Sequence, residues 1–187
     1  MTRRTSRWNW KLVVLAVLGA WLLSSPGSSA KIYLSQEEAL KVAFPSPALI
    51  ERKTLYLDDA QAEKVERESR TKVPGRVFPY YVGRKEGALL GYAYFDTHLV
   101  RTLPETIMVL LSPAGEIQRV EILSFSEPED YFPRKAFLDQ FAGKGPDGDL
   151  AVRRGIRNLA GASLTAEAIT AACRRILALH RLSEAGR

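Results

Sequence analysis

Cysteine and histidine are scarce in this sequence of 187 residues, which has one cysteine, Cys173, and two histidines. A single cysteine excludes an internal disulfide, and it excludes zinc or iron–sulfur sites that need several thiolate ligands. The folded chain must therefore be held together by its hydrophobic core. Internal repeats and low-complexity stretches are also absent, so nothing indicates a repeat protein.

Long hydrophobic runs are absent as well. The run at residues 12–23 is shorter than the roughly 20 apolar residues that span a bilayer. Basic residues precede this run and small residues follow it up to Ala30, an order typical of a secretory signal peptide cleaved before Lys31. We therefore predict that residues 1–30 are a signal peptide or, alternatively, a membrane anchor. The protein is then exported, either periplasmic or anchored on the outer face of the cytoplasmic membrane.

The excess of basic charge belongs mainly to this N-terminal segment. The formal net charge is +6, and residues 1–30 contribute four basic residues and no acidic one, which leaves +2 for the rest. In that rest, lysine and arginine are interspersed with aspartate and glutamate. A nucleic-acid-binding protein needs basic residues clustered on one face, so we expect no nucleic-acid partner.

Two short helices are predicted next. Ser35 followed by Glu38 is the reciprocal capping pattern that begins a helix, and Pro45 ends it. Residues 58–70 have acidic residues in their first turn and arginines at their end, which suits a helix dipole. The stretch "TLYL" between them predicts a strand. Residues 31–74 are therefore expected to be an N-terminal helical segment.

An alternating pattern rich in aromatic residues begins at residue 77 and predicts strands up to residue 125. A turn at residues 83–87 predicts one hairpin. Pro113 and Gly115 suit the turn of a second hairpin. Four adjacent antiparallel strands are the result.

Helices are predicted again after the hairpins. A short helix lies within residues 133–145, and a last helix runs from Thr165 to about residue 180. The stretch between them is ambiguous. The predicted fold class is α+β, an antiparallel sheet of two successive hairpins with helices packed on one face, in a single domain whose main part is residues 75–182.

The last predicted helix has one apolar face. Cys173 and His180 both lie on this face, and this placement decides how we interpret them. The face consists of Ile169, Ala172, Cys173, Ile176, Leu177 and His180. We interpret Cys173 as a small core residue rather than a redox thiol. His180 is interpreted as a hydrogen-bonded core or helix-end residue rather than a metal ligand. No metal site is expected.

Small residues precede this helix in "NLAGASLTAEAIT". Thr165 is a suitable N-cap, and the amides of a first helical turn attract anions. Gly161 and Ala162 leave the approach free of bulky side chains, so a phosphate could come close to the backbone. The alternative is a capped helix after a tight turn, without a ligand.

A serine hydrolase is the disfavoured alternative function. "GASLT" superficially resembles the Gly-x-Ser-x-Gly elbow, but Thr165 replaces the second glycine and no aspartate follows Ser163. The predicted sheet is antiparallel, whereas a parallel sheet presents such an elbow. Asp96 and His98 could share one face of a strand, although ordinary exposed polar residues at an edge fit equally well.

The sequence resembles the FMN-binding domain of periplasmic flavoprotein subunits of ion-pumping NADH:quinone and ferredoxin:NAD oxidoreductases and of related exported electron-transfer proteins. That family has the motif Asp-x-x-Ser/Thr-Gly-Ala-Thr/Ser, and "RNLAGAS" is similar to it. The two predicted hairpins are also similar to those of the family. "SEPEDY", which begins at Ser126, stands where the family has a Glu-Thr-Pro turn close to the flavin.

The resemblance implies that residues 75–182 form an FMN-binding domain and that Ser163 carries FMN through a phosphoester. Its implied cofactor-contacting residues are Gly161, Ala162, Ser163, Leu164, Thr165 and Glu127. It further implies attachment by a flavin transferase, and membrane or cytochrome redox partners. The protein would then be an electron carrier or redox subunit rather than a stand-alone enzyme. Candidate apolar walls for the ring, each equally explained by sheet packing, are Tyr92, Tyr94, Leu103 and Phe125.

Two departures from the family motif leave an alternative open. Arg157 stands in place of the aspartate, and Ala160 in place of the serine or threonine. Both favour a non-covalent or flavin-free binding or assembly module of a membrane-associated redox complex.

Overall fold

Six antiparallel strands form the central sheet of the computed structural model, which describes residues 30–148 and 150–185. The strands are β1 (Lys31–Ile32), β2 (Leu49–Tyr56), β3 (Val77–Lys85), β4 (Ala88–Leu99), β5 (Pro104–Leu111) and β6 (Ile117–Phe125). Their order across the sheet is β1-β6-β5-β4-β3-β2. The two predicted hairpins, β3–β4 and β5–β6, supply the four middle strands. The predicted α+β fold class is therefore confirmed.

Four helices pack on this sheet, and the first two begin as predicted. They are α1 (Gln36–Ala43), α2 (Asp59–Ser69), α3 (Lys135–Leu138) and α4 (Ser163–Ala185). Ser35 caps α1 reciprocally with Glu38, whose carboxylate accepts from the Ser35 N–H at 2.8 Å. Asp58 and Gln61 make the same arrangement at the start of α2. Because the first-turn amides have these acceptors, both helices begin at a defined residue.

The main core lies between α4 and one face of the sheet. Side chains alternate along a strand, so Tyr92 and Tyr94 of β4 face α4, together with Ile107 and Val109 of β5. From α4, the apolar face predicted from the sequence enters this core, including the fully buried Cys173. Burial raises the pKa of the Cys173 thiol. Its interpretation as a core residue is therefore confirmed.

The opposite face of the sheet is covered by α1, which corrects the expectation that the helices share one face. Leu40 and Phe44 of α1 pack there against Met108 and Leu110 of β5. The strands are apolar on both faces at these positions. A strict alternation of apolar and polar residues would leave one face in water, and these strands do not follow it.

The N-terminal segment is part of the same body as the rest of the described chain. Residues 31–74, expected to be helical, also supply both outer strands of the sheet: β1 pairs with β6, and β2 with β3. Helix α2 packs through Val65 against Leu179 of α4.

The stretch that was ambiguous in the sequence contains two short strands, β7 (Ala151–Val152) and β8 (Gly155–Ile156), which pair with each other. The chain then leads into α4. No helix within residues 30–148 and 150–185 is both long and apolar enough to cross a membrane. Apart from Ala30, the predicted signal peptide or anchor lies outside the described residues.

Candidate functional site

One cavity of about 220 Å³ brings together all six residues that the sequence indicated as cofactor-contacting. Five of them are consecutive, residues 161–165 at the start of α4, and the sixth is Glu127, which follows β6. The remaining lining residues are Tyr131, which ends the "SEPEDY" stretch, and Val100 and Arg101, which the sequence did not indicate. The cavity thus lies between the first turn of α4, the β4–β5 loop and the segment after β6.

The backbone at the start of α4 is open toward this cavity. Gly161 has a left-handed φ of 80°, and a Cβ placed on it would meet no atom within 4 Å. Glycine is favoured there for its conformation rather than for lack of space. The Ala162 carbonyl accepts the first helical hydrogen bond, from the N–H of Ala166. The N–H groups of residues 163–165 therefore precede that bond and have no acceptor within the helix.

Ser163 is the first residue of α4 and its side chain is exposed. Its hydroxyl oxygen accepts a hydrogen bond from the Asn158 side-chain amide at 3.0 Å. The same Asn158 caps the turn, since its Oδ1 accepts from the Leu159 N–H at 2.9 Å. Asn158 therefore orients the hydroxyl without acting as a base, because an amide does not accept a proton at ordinary pH.

Thr165 is not the N-cap of the last helix, which corrects the sequence prediction. The helix begins two residues earlier, because the left-handed turn at Gly161 lets the Ala162 carbonyl act as the first acceptor. Thr165 is instead 1% exposed, and its hydroxyl donates to the Tyr131 carbonyl at 3.0 Å. This bond fixes the start of α4 to the segment after β6, across the cavity.

Glu127 organises the opposite wall. One of its carboxylate oxygens accepts from three consecutive backbone N–H groups, those of Arg101, Thr102 and Leu103, at 3.0–3.1 Å. Partial burial alone would raise the pKa of Glu127, but these three bonds lower it below its ordinary value. Glu127 therefore stays ionised and holds the β4–β5 loop that lines the cavity.

Three of the four aromatic and apolar ring-wall candidates lie in the core rather than at the cavity. Tyr92, Tyr94 and Phe125 are each at most 2% exposed. Tyr94 also bonds to His180, with the Tyr94 hydroxyl 3.0 Å from His180 Nδ1. This confirms His180 as a hydrogen-bonded core residue. Leu103, the fourth candidate, is half-buried and does not line the cavity either. The sheet-packing interpretation applies to the three buried residues.

Asp96 and His98 share one face of β4, and of the two alternatives that the sequence left open, exposed edge residues are excluded. They face α4 within a buried group of charges that also includes Glu105 of β5 and Arg175 of α4. The two ring nitrogens of His98 lie 2.9 Å from Asp96 Oδ1 and 3.1 Å from Glu105 Oε2. Both Nε and Nη2 of Arg175 donate to the Asp96 carboxylate at 2.7–3.0 Å.

The charges in this buried group stabilise one another. Burial alone would lower the pKa of His98, but the two neighbouring carboxylates raise it to about 9. For Asp96, burial acts to raise the pKa, and His98 and Arg175 together bring it below its usual range. Burial raises the pKa of Glu105, and His98 offsets this only in part. His98 is therefore a cation held between two carboxylates.

The cavity offers anion-binding donors and an exposed hydroxyl, but among the described residues no general base is hydrogen-bonded to Ser163. Both histidines of the chain are described, and they are bonded in the core, to Asp96 and Glu105 and to Tyr94. Serine hydrolysis requires a base in hydrogen-bond contact with the nucleophile, and the residue contacting Ser163 is Asn158. Within residues 30–148 and 150–185, no group of three or more potential ligands is arranged to hold a metal ion.

Comparison of the chain with models of protein families gives no match. A search of curated proteins gives no match either.

Proposed function

We propose that this protein is an exported flavoprotein that carries FMN on Ser163 and acts as an electron-transfer relay. The supporting observation is that Glu127 and residues 161–165, far apart in the sequence, line one cavity. These are the residues that the resemblance implies as cofactor-contacting.

The first turn of α4 has the chemistry that a flavin phosphate requires. The N–H groups of residues 163–165 lie at the positive end of the helix dipole, where an anion is favoured. Ser163 offers an exposed oxygen at this end. A flavin transferase would form a bond from this oxygen to the phosphorus of the flavin donor. The phosphorus would lose its leaving group, and the hydroxyl proton would pass to the transferase. No base in this chain is needed.

The cavity is too small to enclose a whole FMN group. Its volume of about 220 Å³ is below the roughly 300 Å³ at which pockets for whole small molecules begin. Part of an FMN group would therefore remain outside it. Leu164, which is 46% exposed, and the half-buried Tyr131 offer apolar surface to that part. Bound FMN supplies the redox chemistry, and a partly exposed cofactor suits exchange of electrons with a partner protein.

The two departures from the family motif lie beside the cavity rather than in its lining. The Arg157 backbone N–H donates to the Gln140 side chain at 2.8 Å, and the side chains of Arg157 and Ala160 are exposed. Neither residue covers the backbone at Gly161, which stays open toward the cavity. Their exposed side chains support the proposal that the two departures act on recognition by the transferase.

The experiment is to produce the chain together with a flavin transferase in an exporting host, denature it, and measure flavin fluorescence that migrates with the polypeptide. We expect fluorescence in the wild type and its loss in Ser163→Ala. Ser163→Thr should retain it, because the oxygen is kept.

Thr165→Val is the matched control. It removes the neighbouring hydroxyl but keeps the buried shape, so fluorescence should persist. Flavin that is released on denaturation would favour the non-covalent module, and a colourless protein would favour the flavin-free module. Fluorescence that persists on the polypeptide in Ser163→Ala would show that the tether is not at Ser163.

A further inference from the structure

A second cavity, of about 230 Å³, lies between the end of α2 and the later turns of α4. It is distinct from the site at Ser163, because its α4 residues are Arg174 and those beyond it. Three arginines line it, Arg70, Arg174 and Arg181, whereas the only described carboxylate in the lining is Glu68.

Arg174 is held rigidly in the cavity wall. Its Nε donates to the Ser69 carbonyl at 2.7 Å, and its Nη1 donates to the Leu150 carbonyl at 2.8 Å. Burial lowers the pKa of Arg174, and the positive charge of Arg70 lowers it further. Two like charges are thus brought together at one cavity, an arrangement that is unfavourable unless an anion compensates it.

The third arginine already has its counter-charges. Arg181 bonds to Asp147 and lies 3.7 Å from a Glu68 carboxylate oxygen. Among residues 30–148 and 150–185, by contrast, no carboxylate forms an ion pair with Arg70 or Arg174. Among the described lining residues, the guanidinium groups of Arg70 and Arg174 are therefore the two positive charges that no carboxylate pairs with.

We propose that this cavity binds a phosphate-type oxyanion between Arg70 and Arg174. A guanidinium group presents a planar fork of N–H donors that matches the oxygens of a phosphate group, and Arg174 is fixed in place before the anion arrives. A water molecule occupies about 30 Å³ in the liquid, so the cavity has room for a phosphate group with an organic substituent. That group comes either from a soluble phosphate ester or from the head of an anionic phospholipid.

Binding is tested on the exported full chain by isothermal titration with inorganic phosphate and with phenyl phosphate, and by co-sedimentation with vesicles containing phosphatidylglycerol. Arg70→Met is the informative variant, because the Arg70 side chain is exposed and is in none of the ion pairs among residues 30–148 and 150–185. We expect at least a tenfold loss of affinity. The matched control is Arg67→Met, an exposed arginine of α2 three residues before Arg70 and outside the cavity lining, which should bind as the wild type does.

The results distinguish a soluble phosphate ester from a lipid head group, and they test whether the site exists. Binding of the soluble phosphates identifies a phosphate ester. Binding of vesicles alone, lost in Arg70→Met, identifies a lipid head group, and both results support the site. Equal weakening by Arg70→Met and Arg67→Met would contradict it, because it indicates non-specific attraction.

Discussion

At the residue scale, the costly feature of this protein is the buried group of Asp96, His98, Glu105 and Arg175. Glu105 is fully buried, and its Oε1 has no hydrogen-bond partner among the described residues. A buried carboxylate requires a nearby positive charge, and His98 supplies it to both Glu105 and Asp96. The charge on His98 therefore contributes directly to the stability of the fold.

Because His98 is charged in the folded protein, we expect the free energy of unfolding to fall in mildly alkaline solution. The pKa of His98 rises from 6.5 in the unfolded chain to about 9 in the folded one. A raised folded pKa gives a contribution that is complete below pH 6.5 and is lost as the pH rises through 9. The free energy of unfolding, measured with urea, should therefore decrease between pH 6.5 and 10 by up to about 3 kcal/mol.

The control is His98→Gln, which removes the titrating group but keeps a hydrogen-bonding side chain. Its free energy of unfolding should be lower at pH 6 and should change much less up to pH 10. If the wild type and the variant lose stability in parallel over this range, His98 is not the group responsible.

Only part of this charged group could be predicted from the sequence. The alternation along a strand places Asp96 and His98 on the same side, which is observed. Alternation does not indicate which side faces the core. It also does not show that Glu105 lies opposite His98 in the β4–β5 register, or that Arg175 reaches the same point from α4. These contacts are tertiary and leave no local pattern.

At the element scale, β4 approaches its neighbours so closely that a side chain is excluded at one point. Gly91 has φ of 148°, and a Cβ there would lie 2.2 Å from the Leu111 carbonyl oxygen. It faces Gly83 across the β3–β4 ladder, next to an irregularity in the register. Glycine at this position therefore allows the close contact of β4 with the Leu111 backbone beside the register irregularity.

Gly91→Ala should destabilise the protein strongly. The substitution combines a backbone conformation that costs about 1–2 kcal/mol for an L-residue with a clash that costs about 1–3 kcal/mol. Urea unfolding should show a loss of at least about 2 kcal/mol. Gly75→Ala is the control, since a Cβ on Gly75 meets nothing within 4 Å, and it should be nearly neutral. Equal effects of the two substitutions would refute the close approach.

At the scale of the whole molecule, the sheet is covered on both faces, and both of its edge strands come from the N-terminal segment. The sequence predicted the capped helices and the hairpins, because capping boxes and turn residues are local signals. It did not predict that α1 covers the second face or that β1 and β2 form the edges. Those arrangements depend on contacts between segments distant in the chain.

The start of α4, too, could be predicted from the sequence only in part. The glycine, the small residues and the hydroxyls were visible in the sequence, but the helix begins at Ser163 rather than at Thr165. The hydrogen bond from Thr165 to the Tyr131 carbonyl, which decides the role of Thr165, joins two distant segments. The position of Tyr131 beside Ser163 therefore required the folded structure.

A fragment of residues 75–185 should consequently not fold by itself. It would expose Leu179 and Ala178 of α4, which pack on Val65, and Met108, which packs with Leu40 and Phe44 of α1. Circular dichroism during urea titration should show no cooperative transition for the fragment, whereas residues 31–185 should show one. A cooperative transition at a similar midpoint in both would demonstrate that the N-terminal segment is dispensable.

The most direct measurement for the proposed function is tandem mass spectrometry of the exported protein after production with a flavin transferase. The account predicts that the peptide containing residue 163 gains the mass of FMN less one water and that fragmentation assigns this mass to Ser163. An unmodified Ser163 in a protein sample without flavin absorbance would contradict it.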